Sequence, residues 1–280
     1  MAARPVPLDL PGRCGGLRVW DYGGDGPPLL LCHCAGTCGR IWEPVITRLQ
    51  HPFRALALDF RGHGDSAKPE DRHCYRWEGF AEDVLDAAEA LRLGPEAFAA
   101  GHSGGGVAVT LARMARPDLF GGIALVDAIL APSWFFPEAS PLAAGARRRK
   151  HAFASRAEAR QRLHHKYPHD LWHGEAFEAY LDHGFDALPG GGVALKCPGR
   201  IEALFYEAGS TEGILNRLET LALPLLLVTG ANSYMREHVA GQHRLAPEGS
   251  RMEVLPDTGH FPPQEQPDAV ARLFDGWFGA

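Results

Sequence analysis

The longest apolar run in this 280-residue chain, around Pro28 to Cys32, is long enough only for a strand. No segment approaches the roughly 20 residues that a membrane-crossing helix needs, so no membrane partner is expected. The stretch from Met1 to Gly12 carries prolines and no apolar core of the secretory type, which makes the cytoplasm the expected location. Positive charge is also scarce. Lys and Arg number 28 against 34 Asp and Glu, a formal net charge of −6, which disfavours nucleic acid and anionic surfaces as partners. One basic run, Arg147-Arg148-Arg149-Lys150, stands among alanines and reads as a solvated helix face rather than a phosphate-binding patch. Cysteine is sparse, with residues at 14, 32, 34, 38, 74 and 197, expected as reduced thiols in that compartment. Cys32, His33, Cys34 and Cys38 resemble metal ligands superficially. Zinc sites draw on separated pairs, however, and here alternate residues of one extended segment have no partner pair. Neither a metal nor a cofactor is expected. Internal repeats and low-complexity tracts are absent.

What remains is an ordinary globule, with 45% hydrophobic and 22% charged residues. Its length fits one large α/β domain or one domain with an insertion, able to bury about three quarters of its unfolded surface. Strands are predicted at 17–22, 29–32, 53–58, 97–100, 123–126, 225–229 and 252–255. Helical spacing predicts helices at 41–49, 80–91, 236–245 and 268–278, with another after residue 103. Such alternation implies right-handed βαβ units and a largely parallel sheet. It stops near Leu130. From Ala131 to about Ala222 the chain reads as helices, at 142–153, 156–165, 175–188 and 201–206, broken by Gly190-Gly191-Gly192. The expected organisation is a core at 1–131 and 222–280 with a helical lid inserted at 132–221.

The chemistry centres on Gly101-His102-Ser103-Gly104-Gly105, a G-x-S-x-G pattern between the apolar run Ala97 to Ala100 and the helix carrying Val107, Ala108, Leu111 and Ala112. A serine pinched between strand and helix takes a strained backbone, and flanking glycines are needed where a Cβ would collide. The hydroxyl then lies at a helix N-terminus, whose N–H groups favour a developing oxyanion. Serine needs a base. Of 14 histidines, His260 has the best context, in a loop after a strand and before the last helix, where the Ser…acid…His order places it. The acid is unusual, because Gly230-Ala231-Asn232-Ser233 after the strand 225–229 contains no carboxylate. Asp127, ending the strand after the elbow helix, shares the sheet edge with Ser103 and is the expected partner of His260. Asp257 is read as shaping the turn before His260, and Asn232 would stabilise imidazolium poorly. Oxyanion donors are expected at the N–H of Gly104 and at that of Ala35, with Cys34 as the second choice. Trp134, Phe135, Phe136, Tyr234 and Met235 are expected to line an apolar substrate pocket.

His33-Cys34-Ala35-Gly36, the segment Asp59 to Ser66, Gly101 to Gly105 and Gly259-His260-Phe261 together resemble the α/β-hydrolase superfamily, in that order and at suitable spacings. The resemblance implies an α/β-hydrolase fold with helices on both faces of the sheet and an inserted helical lid. It departs at Cys34, where the family usually has glycine, and at Ser233, where most members carry an aspartate. A minority, the zearalenone lactonases among them, carry the acid one strand earlier, and Asp127 is similar to that arrangement. A serine at 103, not an aspartate, argues against haloalkane dehalogenase or epoxide hydrolase chemistry. The implied activity is hydrolysis of a small-molecule ester or lactone through an acyl-serine. Two alternatives stay open: a carbon–carbon bond hydrolase of the same fold, and a hydrolase-fold ligand receptor with little turnover. A homodimer is the one macromolecular partnership left open.

Overall fold

The computed structural model describes residues 4–136 and 140–279; the first three residues of the stretch read above for a signal lie outside it. Among the described residues eleven strands form two sheets: β1 (Val6–Leu10), β2 (Leu17–Asp21), β3 (Pro28–Cys32), β4 (Arg54–Asp59), β5 (Phe98–His102), β6 (Gly122–Val126), β7 (Ala152–Phe153), β8 (Phe185–Ala187), β9 (Val193–Leu195), β10 (Leu225–Gly230) and β11 (Arg251–Leu255). The main sheet has eight strands in the order β1-β2-β4-β3-β5-β6-β10-β11. β1 and β2 run antiparallel to their neighbours, and every pairing from β4 to β11 is parallel. This is the α/β-hydrolase fold, with the parallel strands sending all their C-terminal ends to one edge. β1 escaped the sequence reading because its alternation is largely solvent-exposed.

The sheet separates two apolar layers, and the pleat assigns side chains to them by turns. In β3, Leu30 and Cys32 face one cluster with Leu56, Leu58, Ala99 and Leu125. Leu29 and Leu31 face the other with Ala57, Ala100, Ala124 and Val126. Helices Trp77–Ala90, Gly104–Ala115 and Arg236–Leu245 cover the first through Phe80, Val84, Val107, Ala112 and Val239. The last helix, Pro267–Phe278, covers the second through Val270, Phe274 and Phe278.

The segment between β6 and β10 differs from the expected all-helical insertion. It holds helices Pro141–Arg148, Arg156–Leu163, Gly174–His183 and Gly199–Tyr206, but also an antiparallel sheet in the order β7-β9-β8. Gly190, Gly191 and Gly192, all at positive φ, turn the β8–β9 hairpin rather than separating two helices. Strands of two or three residues are too short to leave a period in the sequence. The segment also rejoins the core early, since Leu218 and Leu221 are buried in the first apolar cluster. Among the described residues, no helix is long and apolar enough to cross a membrane.

Candidate active site

Ser103 follows β5 directly and occupies φ 56°, ψ −119°, a conformation strained for any residue with a side chain. Its N–H donates to the Val126 carbonyl at 2.9 Å, tying the turn to the neighbouring strand. A Cβ on Gly101 would lie 2.4 Å from the Gly105 carbonyl oxygen, and one on Gly105 would lie 2.5 Å from that of Cys32. Both contacts are with backbone, which cannot swing aside, so glycine is required on each side of the serine. The sharp turn thereby leaves the Ser103 hydroxyl at the C-terminal edge of the sheet.

Three side chains from three elements meet there. His260 Nε2 lies 3.0 Å from Ser103 Oγ, and His260 Nδ1 lies 2.5 Å from Asp127 Oδ2. Asp127 follows β6 with φ 46° and is fully buried. Beyond His260 it accepts hydrogen bonds from Thr229 Oγ1 and, at 2.5 Å, from Ser233 Oγ. Ser233 thus stands where a carboxylate is usually found and donates to the carboxylate that replaces it. Its oxygen also accepts from the Met235 N–H at 3.0 Å. Thr229 and Ser233 were missed as partners of the acid, although the absence of a carboxylate at 233 was the available signal. Asp257 is exposed at φ 52° and Asn232 is exposed; neither has a hydrogen bond to His260 among the described residues.

The base is held from behind as well. Glu265 accepts from the N–H groups of Gly259 at 2.7 Å and Phe261 at 3.0 Å, holding the backbone of both residues that flank His260. His102 Nε2–H donates to the His260 carbonyl at 2.8 Å. Burial lowers the pKa of His102 to about 3, which keeps the ring neutral. No periodicity or motif marked either residue.

The loop after β3 is shaped by two buried imidazoles. His33 Nε2 accepts from the Phe60 N–H at 3.1 Å, which leaves Nδ1–H to donate to the Cys34 carbonyl at 2.7 Å. His63 Nε2 accepts from the Gly36 N–H at 3.2 Å. The Cys34 carbonyl and the Gly36 N–H are therefore engaged, whereas the Ala35 N–H between them has no acceptor among the described residues. The Gly104 N–H, first in its helix, has none either. Cys34 and Ala35 both line the cavity over Ser103, while Gly104 lies under the Phe205 ring. Cys32, Cys34 and Cys38 are buried thiols rather than a ligand set, and burial pushes Cys34 up to about 12. No group of three or more His, Cys, Asp or Glu side chains among the described residues is arranged to hold a metal ion.

A cavity of about 1570 Å³ opens over the serine. Phe135, Phe136 and Tyr234 line it, and Tyr234 packs tilted against His260 with ring centroids 4.6 Å apart. Two expected lining residues lie elsewhere. Trp134 is 74% exposed and packs on His238 outside the cavity. Met235 is fully buried in the first apolar cluster, because the helix that begins at Arg236 turns it inward. In the basic run Arg147 and Arg148 form an exposed helical face as expected, but helix Pro141–Arg148 ends there, Arg149 turns inward half-buried, and Arg147 to Lys150 border the cavity.

A sequence profile described as the alpha/beta hydrolase family matches residues 29–273. The chain is 29% identical over 293 aligned positions to the esterase Rv0045c of Mycobacterium tuberculosis, covering 97% of this chain and 89% of that protein. It is 25% identical over 273 positions to 2-(acetamidomethylene)succinate hydrolase of Mesorhizobium japonicum, covering 92% and 90%. The crystal structure of E-2-(acetamidomethylene)succinate hydrolase superposes with a TM-score of 0.81 at 22% identity over 99% of this chain and all of that one, a likeness of fold.

Proposed function

This chain belongs to the α/β-hydrolase family, and from that premise we propose that it is a serine hydrolase that cleaves a carboxylic ester or lactone. The observation that carries the reading is the buried line from Ser103 through His260 to Asp127, with its 3.0 and 2.5 Å contacts. In this reading Ser103 Oγ adds to the carbonyl carbon as His260 Nε2 takes the hydroxyl proton. The imidazolium keeps Nδ1–H on Asp127, which holds the productive tautomer. The carbonyl oxygen becomes an oxyanion that accepts from the N–H groups of Gly104 and Ala35. Collapse breaks the bond to the leaving oxygen, which receives the proton from His260, and Ser103 is left acylated. Water then gives one proton to His260 and adds to the acyl carbon; collapse breaks the bond to Ser103 Oγ, which takes that proton back from His260 as the acid leaves. The segment 132–221 serves as the lid, and Phe135, Phe136 and Tyr234 form an apolar wall beside the scissile bond.

The relative named as an esterase supports the ester reading. The relative named 2-(acetamidomethylene)succinate hydrolase favours a second reading, hydrolysis of a bond other than a simple ester. Turnover of vinylogous diketones with little turnover of simple esters would mark a carbon–carbon bond hydrolase. The proposal is tested with Ser103→Ala on a short p-nitrophenyl ester that the parent cleaves. Loss of at least about three decades in kcat is expected; full turnover in the variant would overturn the assignment. A fluorophosphonate probe separates enzyme from idle receptor, since an activated serine labels quickly at Ser103.

A further inference from the structure

The lining of the cavity runs against the charge of the chain. The protein carries a formal net charge of −6, yet among the described residues the cavity wall holds seven Lys or Arg and two carboxylates, Glu202 and Glu207. Some of these cations are neutralised. Arg147 forms a two-pronged pair with Glu207, and Lys150 and Arg162 share Glu158. Arg72, Arg148 and Lys166 have no ion-pair partner within 4.0 Å among the described residues. These three are exposed, so the unbalanced positive charge sits at the rim of the cavity in an acidic protein.

The innermost cation is Arg149, whose side chain is 23% exposed. One of its terminal nitrogens donates to Glu202 Oε2 at 2.7 Å and the other to the Tyr180 hydroxyl. A guanidinium has five N–H donors; with two used, three are left without an acceptor among the described residues. The pair abuts the oxyanion loop, since a Cβ on Gly36 would fall 2.9 Å from the Glu202 carboxylate and 3.3 Å from an Arg149 nitrogen. The same wall contains His169 and Trp172, each 8% exposed, whose Nδ1 and Nε1 have no hydrogen-bond partner among the described residues. Unsatisfied buried polar groups are few in native folds. Here two stand together beside an under-used guanidinium, with ring centroids 4.8 Å apart. Trp172 in turn packs on Phe261, next to the base.

We propose that this wall is an anion subsite, anchored by Arg149 and fed by Arg72, Arg148 and Lys166, that selects substrates bearing a carboxylate in addition to the bond cleaved. The assignment of that bond rests on the reading of Ser103 as the nucleophile; the subsite itself rests on the cavity wall. Glu202 already balances Arg149, so an added carboxylate needs the unpaired cations as well as the free donors. An apolar wall at Phe135, Phe136 and Tyr234 with cations beyond it fits a short acyl chain with an ionised end.

The test compares mono-p-nitrophenyl glutarate with p-nitrophenyl pentanoate, acyl chains of equal length that differ in the terminal carboxylate. The parent is expected to prefer the glutarate by about tenfold or more in kcat/KM at low salt, the size of a charge-assisted hydrogen bond. The preference shrinks at about 0.5 M salt, where exposed charges are screened. Arg149→Gln/Glu202→Gln, which removes both charges of the pair together, is expected to lower the preference about tenfold, and Arg148→Gln/Lys166→Gln to lower it and its salt dependence. A preference at or below one, or one that neither variant moves, overturns the proposal. A binding arm keeps the two readings apart. Calorimetry on Ser103→Ala should give tighter binding of monomethyl glutarate than of dimethyl glutarate, and equal binding counts against the subsite. Preferential binding without Ser103-dependent turnover sinks the hydrolase reading and leaves the subsite standing. Ser103-dependent cleavage of the pentanoate without charge preference does the reverse.

Discussion

Replacing Asp127 by Asn probes the least ordinary part of the site. The carboxylate is fully buried and 2.5 Å from His260 Nδ1. At that separation and an effective dielectric near 20, its attraction to an imidazolium is about 7 kcal/mol, an upper bound because the charges are delocalised. At about 1.4 kcal/mol per decade this corresponds to a ceiling near 10⁵ in rate, and the retained amide dipole brings the expected loss to about 10⁴. The hydrogen-bond arrangement argues for the same size. Thr229 donates to Oδ1, whereas Ser233 and His260 share Oδ2, so an Asn that keeps its oxygen on Thr229 turns its NH₂ to His260 and Ser233. That forces Nδ1 to accept and puts the proton on Nε2, the tautomer that cannot take the serine proton. The assay is kcat for a short p-nitrophenyl ester, with folding checked by circular dichroism and Asp257→Asn as control. Asp257 is exposed, so its variant should stay within about twofold of the parent. A large loss only in Asp257→Asn, or more than a tenth of parental activity in Asp127→Asn, would refute the choice of acid. The double variant Asp127→Asn/Ser233→Asp should regain at least about tenfold over Asp127→Asn, because Ser233 Oγ and His260 Nδ1 already share one carboxylate oxygen.

Other changes follow from the same geometry. Gly105→Ala would drive a Cβ to within 2.5 Å of the Cys32 carbonyl and 2.7 Å of that of His33; a loss of about 3 kcal/mol in denaturant unfolding is expected, together with loss of fluorophosphonate labelling. Glu265→Ala frees the N–H groups of Gly259 and Phe261 on either side of His260 and should lower kcat about tenfold while moving KM little, because only the base is displaced. Burial lowers the pKa of His63 to about 4 from an ordinary 6.5. The unfolded chain therefore binds one more proton than the folded one between these values, and stability is lost as pH falls from 6.5 toward 4. On going from pH 7.5 to 5 the parent should lose about 2 kcal/mol more than His63→Gln, measured by urea unfolding. Equal losses would show that His63 does not carry this share.

Much of the architecture was legible because it is written in local patterns. The alternation of apolar runs and helical stripes specified the parallel sheet, since strands buried on both faces must be continuously apolar and their crossover helices amphipathic. The elbow was legible for a related reason: only Gly at 101 and 105 tolerates the backbone contacts that the turn imposes. The short strands β7 to β9 were not, nor was the placement of Trp134 and Met235, because which way a residue beside a helix start faces depends on packing rather than on spacing. The basic run misled for the same reason. Its period is helical through Arg148, and only the end of that helix turns Arg149 into the cavity.

By itself the sequence determined the alternation of the parallel core strands with their helices, the strained serine and a late histidine, and the missing carboxylate at Ser233. These depend on residue type at short range, where sterics and periodicity act. The tertiary structure decided which groups the sheet edge brings together. It set Asp127 beneath His260 with Thr229 and Ser233 on its oxygens, placed Glu265 behind the base, and left the N–H of Ala35 free between two buried imidazoles. The partners of Asp127 lie more than 100 positions along the chain from it, and no local pattern encodes a distance across a fold.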